Sequence, residues 1–324
     1  MPIIKTLVKA TKLEKEKFTI PKSVQDAIPI QRIWPDGIFQ VGSRFSKTFS
    51  FTDINYQIAG KEDKTAMFLD YSELLNALDS GASAKITINN RKINKAEFEK
   101  SLLLPMKEDG LNHFRKEYNE MLLSKVTGTN NSVVQDRYIT ITVAKRNIDE
   151  ARTYFSRVGT DLITHLSQLS SIGRELDAGT RLQVFRDFFK GNEPAAFAFD
   201  LKEQMKKGHN FKDWLCPDSM EFQKDHFRLN DRWGRVLYLQ GYASYIKDSM
   251  IAELCDMDRS LMLSIDILPV PTDEAVREIQ NKLLGVETNA ANWQRKQNAA
   301  NNFSAVLPYD MEQQRKETKE MLDD

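Results

Sequence analysis

Apolar and polar residues alternate most regularly between Tyr138 and Ala144, where Ile139, Ile141 and Val143 occupy every second position. A repeat of two places alternate side chains on the same face of a strand. The sequence therefore predicts a half-buried strand, with its apolar face towards the core and a polar face on the other side.

The repeat changes directly after this strand to the spacing of a helix. Asn147 stands at the N-cap position, and Asp149 and Glu150 follow in the first turn, where carboxylates complement the helix dipole. The sequence predicts a long amphipathic helix that ends before Gly173. Its apolar stripe is Ile148, Ala151, Tyr154, Phe155, Val158, Leu162, Leu166 and Leu169.

Weaker patterns surround these two elements. Strands are predicted at Ile38–Val41, Thr48–Ile58 and Lys85–Arg91. A helix is predicted after Asp63, with a stripe of Met67, Phe68, Tyr71, Leu74, Leu75 and Leu78 ahead of Gly81. Another helical stripe comprises Leu111, Phe114, Tyr118, Met121 and Leu122. Strands separated by helices, with one polar sheet face, indicate an α+β layer.

A second group of predicted elements begins near Asn210. In chain order they are a hairpin of Glu221–Leu229 and Arg235–Tyr242 with its turn at Asn230–Gly234, a helix at Ile246–Cys255, a strand at Leu261–Ile267, and a helix capped by Thr272. Pro269 and Pro271 end the strand, because proline cannot donate to a sheet ladder.

We accordingly predict an α+β fold, with two mixed layers of mostly antiparallel sheet covered by helices and a helical connector after them. The predicted divisions are a basic N-terminal arm over 1–27, a first α+β domain over 28–205, a second, smaller α+β domain over 206–286, and a polar helical connector over 287–324. Asn289–Asn302 has few apolar anchors, and the final helix-prone segment ends without a cap. Such an ending is typical of an element that continues into a further domain.

Charge and cysteine content narrow the classes of function. The 46 basic and 46 acidic side chains cancel, whereas most nucleic-acid-binding domains carry a basic excess. Cys216 and Cys255 are the only cysteines in 324 residues, which indicates a reducing compartment and no disulfide framework. No signal peptide or apolar span of about 20 residues is visible, so we expect a cytosolic chain.

The patterns that carry catalysis or metal binding are incomplete. Gly60-Lys61 lacks both the earlier glycine and the following Ser or Thr of a phosphate-binding loop. His209, Cys216 and His226 are close in sequence, but their spacing matches no common zinc pattern. We therefore assign no catalytic, cofactor-binding or metal-binding residue.

Residues suited to protein contacts are easier to identify. Trp34 precedes the turn Pro35-Asp36-Gly37 and could present its ring as a docking anchor, although core packing is the alternative. Trp293 lies in a polar segment with few apolar neighbours. Lys9, Lys12 and Lys15 belong to a lysine-rich arm, which suits either plain solvation or contact with an acidic lipid surface or partner.

Four long segments also carry a family resemblance: Ile20–Tyr56, Phe68–Arg91, Tyr242–Asn289 and Asn301–Asp324. They resemble the N-terminal region of the VirB/TraC-type conjugation ATPases of type IV secretion, in the version found in integrative conjugative elements of Gram-positive bacteria. The resemblance covers nearly the whole chain from about residue 18 onward. It implies a longer intact protein in which a RecA-like motor domain follows this region.

The resemblance implies the expected role and partners. ATP and magnesium are expected only in the motor domain, and none of its catalytic residues has a counterpart here. The region is expected to dock on inner-membrane subunits of the secretion channel, to contact its own motor domain and to help form a homo-oligomer. It would then lie in the cytoplasm, held peripherally at the inner face of the cell membrane by its partners. The alternative is a nucleic-acid-binding module that guides transferred DNA.

Overall fold

The computed structural model describes residues 21–54, 56, 58–92, 103–128, 133–190, 199–238, 240–241, 249–257, 259–303 and 305–323. Up to Glu175, the elements are α1 (Val24–Ala27), β1 (Arg32–Ile33), β2 (Phe39–Val41), β3 (Arg44–Phe51), α2 (Lys61–Asn76), β4 (Ala82–Lys92), α3 (Asn112–Gly128), β5 (Val133–Ala144), α4 (Ile148–Gln168) and β6 (Gly173–Glu175).

Short helices and strands alternate in the next part, before a long helical pair. These elements are α5 (Ala178–Lys190), α6 (Leu201–Lys206), α7 (Phe211–Leu215), β7 (Met220–Phe222), β8 (Phe227–Leu229), β9 (Arg232–Gly234), α8 (Ser249–Cys255), β10 (Leu261–Ile267), α9 (Thr272–Ala299) and α10 (Tyr309–Asp323). The fold class is α+β, as the sequence predicts.

A seven-stranded antiparallel sheet forms the centre of the fold, in the order β1-β2-β3-β5-β4-β10, with β6 paired to β3. One row across its middle joins Phe49, Ile139, Ile86 and Ile265. The neighbouring row joins Thr48, Thr140, Lys85 and Asp266. Because side chains on adjacent positions point to opposite faces, one face is apolar and the other is polar.

The apolar face carries the main core. Helix α4 lies across it, and its stripe residues Ala151, Tyr154, Phe155, Val158, Leu162 and Leu166 are all buried. They pack with Phe45, Phe49, Ile139, Ile141 and Val143 of the sheet. Asn147 caps α4 by accepting a hydrogen bond from the Glu150 backbone N–H at 2.9 Å. The predicted strand and helix in this part of the chain are both confirmed.

Helix α5 covers one end of the polar face with a second, smaller core. This core contains Ile28, Ile30, Phe39, Ala178, Leu182, Trp214, Leu215 and Cys216. It joins the β1–β2 edge of the sheet to helices α5 and α7, which are distant in sequence. The rest of the polar sheet face beside α5 stays open as a cleft.

The predicted hairpin of Glu221–Leu229 and Arg235–Tyr242 is wrong in its extent. The structure has a separate three-stranded sheet, β7-β8-β9, made of short strands. Its tight turn closes at Asn230, which adopts a left-handed φ of 52°. The Asn230 side-chain oxygen accepts from the Asp218 and Ser219 backbone N–H groups at 2.8 and 3.1 Å, which fixes this position of the turn.

Strand β10 belongs to the predicted second domain but pairs with β4 along Ala84–Asn90. The central sheet therefore contains strands from both sides of the predicted boundary between 205 and 206. The division of the chain into domains stays a prediction. Helix α9 runs without interruption past Gly285, and Pro271, not Thr272, is its N-cap residue. Helix α10 folds back on α9, where Arg315 and Lys319 approach Glu287 at 3.7 and 3.9 Å.

Candidate docking groove

Trp34 lies in the tight turn between β1 and β2. The Gly37 backbone N–H donates to the Trp34 carbonyl, and the Trp34 N–H donates to the Ile38 carbonyl, each at 3.0 Å. Gly37 has φ of 77°, and a Cβ added there would come within 1.9 Å of the Leu176 carbonyl oxygen. This position of the turn therefore requires glycine.

The Trp34 ring is half-buried. This exposure lies between the two predicted alternatives, an exposed docking anchor and a ring packed in the core. Its inner side packs against the main core, with its ring centroid 5.8 Å from that of Phe45. Its outer side lines a groove of about 330 Å³. The groove is lined by Gln31, Arg32, Ile33, Trp34, Phe199, Leu201, Gln204, His209, Asn210 and Phe211.

A second pocket of about 250 Å³ adjoins this groove and shares Gln204, His209 and Asn210 with it. The remaining lining residues of this pocket are Arg186, Lys190, Asp213 and Trp214. We call the combined concave surface the Trp34 groove. It has an aromatic end at Trp34, Phe199 and Phe211 and a cationic end at Arg186 and Lys190.

Arg186 is the principal charge at the cationic end. Its side chain is only 7% exposed, and its guanidinium lies 5.0 Å from the Trp214 ring centre. Its Nη1 donates to the Trp214 carbonyl at 2.7 Å, whereas Nε has no hydrogen-bond partner. A buried guanidinium nitrogen without an acceptor is costly, so an anionic group entering this pocket would be stabilised.

The neighbouring charges leave the cationic end positive. Lys190 approaches Asp218 at 3.4 Å, and Asp218 is highly exposed, so this pair is weak. Asp213, the acidic residue of the lining, accepts a hydrogen bond from Gln25 at 3.3 Å. His209 Nδ1 and Gln204 Oε1 are 3.0 Å apart, which fixes the His209 ring at the junction of the two pockets. The arrangement suits a bound segment with an apolar side chain and a carboxylate.

The other predicted docking residues do not join this groove. Trp293 is half-buried on α9, which contributes no residue to the described lining. Lys9, Lys12 and Lys15 lie outside the described residues. The nucleic-acid-binding alternative would need a basic face, for example around Lys85 and Arg91. The charges of both residues are partly neutralised, because Lys85 approaches Asp266 at 3.3 Å and Arg91 approaches Asp136 at 2.6 Å.

The described residues contain no group of three or more His, Cys, Asp or Glu side chains placed to hold a metal ion. Cys216 and Cys255 are free and buried, and burial raises the pKa of both thiols. They are therefore poorly suited to act as nucleophiles. In the part of the chain that the structure describes, no helix is long and apolar enough to cross a membrane.

The sequence predicts a docking role for Trp34 but not for Phe199, Arg186 and His209, which also line the Trp34 groove. These residues lie more than 150 positions away, and single-sequence periodicity does not report such contacts. An arginine within the apolar stripe of α5 is the one local signal that could have indicated a buried charge at this site. Comparison with protein-family models and with curated protein sequences finds no match to this chain.

Proposed function

We propose that this chain is a docking and assembly region of a conjugative type IV secretion ATPase, and that the Trp34 groove receives a cytosolic segment of an inner-membrane channel subunit. The resemblance over four segments supports the family. The half-buried Trp34 ring, with one side in the core and the other in a groove, is the observation that supports docking. ATP and magnesium would act in the motor domain that the resemblance implies.

The groove favours a partner segment of a particular chemistry. Aromatic residues positioned in desolvated pockets are frequent anchors of protein interfaces. Trp34, Phe199 and Phe211 would pack against an apolar side chain, while Arg186 and the exposed Arg32 would pair with carboxylates. The expected ligand is therefore a peptide segment with an acidic residue near an aromatic or aliphatic one.

The rest of the chain would support this interaction at the cytosolic side of the membrane. In this proposal, the lysines of the N-terminal arm contribute attraction to anionic lipid headgroups or to an acidic partner, at about 1 kcal/mol for each lysine near the surface. The channel subunits would hold the region at the inner face of the membrane, and several copies would assemble around them.

The test is binding of the full chain to cytosolic segments of inner-membrane subunits from the same conjugative element. Trp34→Ala is expected to weaken binding about thirtyfold, since loss of a central aromatic anchor costs ~2 kcal/mol or more. Trp293→Ala is the matched control and should leave affinity unchanged. Circular dichroism and thermal unfolding of each variant establish that it remains folded.

Charge reversal provides a second variant that does not disturb the core. Arg32→Glu at the rim should weaken binding of acidic segments, whereas Arg277→Glu on the exposed side of α9 should not.

A parallel titration with DNA separates the docking function from the nucleic-acid-binding alternative. At about 150 mM salt, a real non-specific DNA binder shows a Kd of ~10⁻⁴–10⁻⁶ M. Submicromolar DNA binding without capture of any channel segment would overturn the docking proposal.

A further inference from the structure

A separate cleft of about 380 Å³ lies between the polar face of the central sheet and α5. Its floor is a set of hydroxyl groups on alternate strand positions: Thr48, Thr87, Tyr138, Thr140, Thr142 and Ser264. Its wall is Phe185, Phe188 and Phe189, which lie at helical spacing on α5. A concave site of this size, with an aromatic wall and a few polar groups, has the usual form of a small-molecule site.

The strand register gives this cleft two distinct ends. Ser46 pairs with Thr142, and Arg181 donates to both the carbonyl and the hydroxyl of Ser46, at 2.6 and 2.7 Å. Arg181 therefore lies at the Thr142 end. Four residues back along β5, Tyr138 pairs with Thr87, which marks the opposite end. The two ends differ in charge.

Arg181 provides a buried positive charge at the first end, and its guanidinium carbon lies 4.1 Å from the centre of the Phe39 ring. Arg181 is 4% exposed, and its other acceptor is the Gly37 carbonyl at 2.9 Å. Its Nε has no hydrogen-bond partner, and its recorded acceptors in the described part of the chain are carbonyl and hydroxyl oxygens, not carboxylates. Burial lowers the pKa of Arg181 to about 9, so the guanidinium remains charged at neutral pH. Leaving such a cation without an anion is energetically unfavourable.

Lys85 adds a second cation to the lining of the cleft. Lys85 pairs with Thr140, which is the next residue after Thr142 on the same face of β5, and its side chain lines the cleft. Its ion pair with Asp266 is 3.3 Å long and half-exposed, so its contribution is small and the ammonium is free to turn inward. At the other end, burial is the main cause that raises the pKa of Tyr138; the carboxylates of Asp136 and Asp187 add to this rise, and Arg91 opposes it. A negative group is therefore disfavoured near Tyr138 and favoured near Arg181.

We propose that this sheet-face cleft binds a small amphipathic carboxylate. The aromatic or acyl body of the ligand packs against Phe185, Phe188 and Phe189. Its carboxylate accepts a hydrogen bond from Lys85 and lies towards the end of the cleft where Arg181 supplies a buried positive charge. The hydroxyl floor supplies the remaining polar contacts. This site shares no lining residue with the Trp34 groove and does not depend on the docking proposal.

The test uses three probes with the same naphthalene body: naphthoate, naphthamide and naphthylmethylammonium. Calorimetric titration of the full chain at neutral pH should show one naphthoate per chain, bound about tenfold more tightly than naphthamide, since charge-assisted hydrogen bonds are roughly twice as strong as neutral ones. The cationic probe should not bind. Equal affinities for the three probes would overturn the proposal.

Paired variants locate the site. Phe188→Ala removes a wall residue that is 50% exposed and should weaken naphthoate about fivefold or more, whereas Phe222→Ala, 67% exposed on β7, should not. Lys85→Gln should weaken naphthoate without changing naphthamide, and Lys282→Gln is its control. Unchanged affinity in both Phe188→Ala and Lys85→Gln contradicts the assignment. Trp34→Ala should retain naphthoate binding, which separates this site from the docking groove.

Discussion

Helices α3 and α4 both carry apolar residues at helical spacing, yet the structure uses the two stripes in opposite ways. In α4 the stripe is buried, and Phe155 is only 1% exposed. In α3 the corresponding residues face outward: Leu111, Phe114, Tyr118 and Met121 are each at least 42% exposed, with Phe114 at 59%. A helical period thus locates a helix and its apolar face without identifying what covers that face.

The contacts of the two helices explain the difference. Helix α4 follows β5 directly and lies across the apolar sheet face, where Phe49 and Ile141 receive its side chains. Asn119 is a buried polar residue of α3, and it exchanges two hydrogen bonds of 2.9 Å with the backbone of Leu104. Helix α3 is therefore attached to the preceding loop through polar bonds, while its apolar stripe lies on the exposed side.

The largest expected effect separates the two stripes. Phe155→Ala should lower the free energy of unfolding by about 3–5 kcal/mol, because it removes a fully buried ring and leaves a cavity. Phe114→Ala on α3 should change it by less than about 0.5 kcal/mol, as surface substitutions usually do. Urea unfolding followed by circular dichroism measures both. Similar losses in the two variants would show that the α3 stripe is covered in solution.

A smaller effect is expected at the polar attachment of α3. Asn119→Ala removes two partly buried hydrogen bonds with the Leu104 backbone, which should cost about 1–3 kcal/mol in total at roughly 0.5–1.5 kcal/mol each. Hydrogen exchange of the Leu104 amide should accelerate accordingly. Asn119→Asp is the matched variant: its carboxylate still accepts from the Leu104 N–H but cannot donate to the carbonyl. Unaltered exchange in Asn119→Ala would contradict this account of how α3 is held.

The smallest effect concerns the first turn of α4. Asn147→Ala removes the side-chain oxygen that accepts from the Glu150 N–H and should cost about 1 kcal/mol. Asn147→Asp should retain most of the stability, because aspartate is an equally good N-cap residue. Thermal unfolding measures both variants, and equal losses in the two would mean that the cap contributes nothing specific.

The sequence predicts β5 and α4 well, because their patterns are local. Alternation in β5 and the stripe of α4 each reflect burial against a single surface, and in both elements the predicted apolar face is the buried one. The apolar stripe predicted for α2 is only partly confirmed. Leu74 and Leu78 are buried, but Phe68 and Tyr71 are exposed, because the helix meets the core chiefly around its C-terminal end.

Features that depend on distant pairing could not be predicted. The sequence predicts β10 as a strand, but its place beside β4 depends on residues more than 160 positions earlier. The same holds for the Trp34 groove, where Trp34 was identified and Arg186 was not. Arg181 and Arg186 each stand at buried positions of α5, and a hydrophobic stripe does not predict cations there.

The junction of β10 and α9 has a mechanical consequence. Helix α9 has 28 residues and is therefore roughly 42 Å long at ~1.5 Å per residue. Pro269 and Pro271 restrict the backbone between the edge strand and this helix. The direction of the helix is therefore set at this junction, which is the pivot about which any change of its angle would act. A rotation of about 10° at that pivot moves its far end by roughly 7 Å, as the length of a straight helix requires.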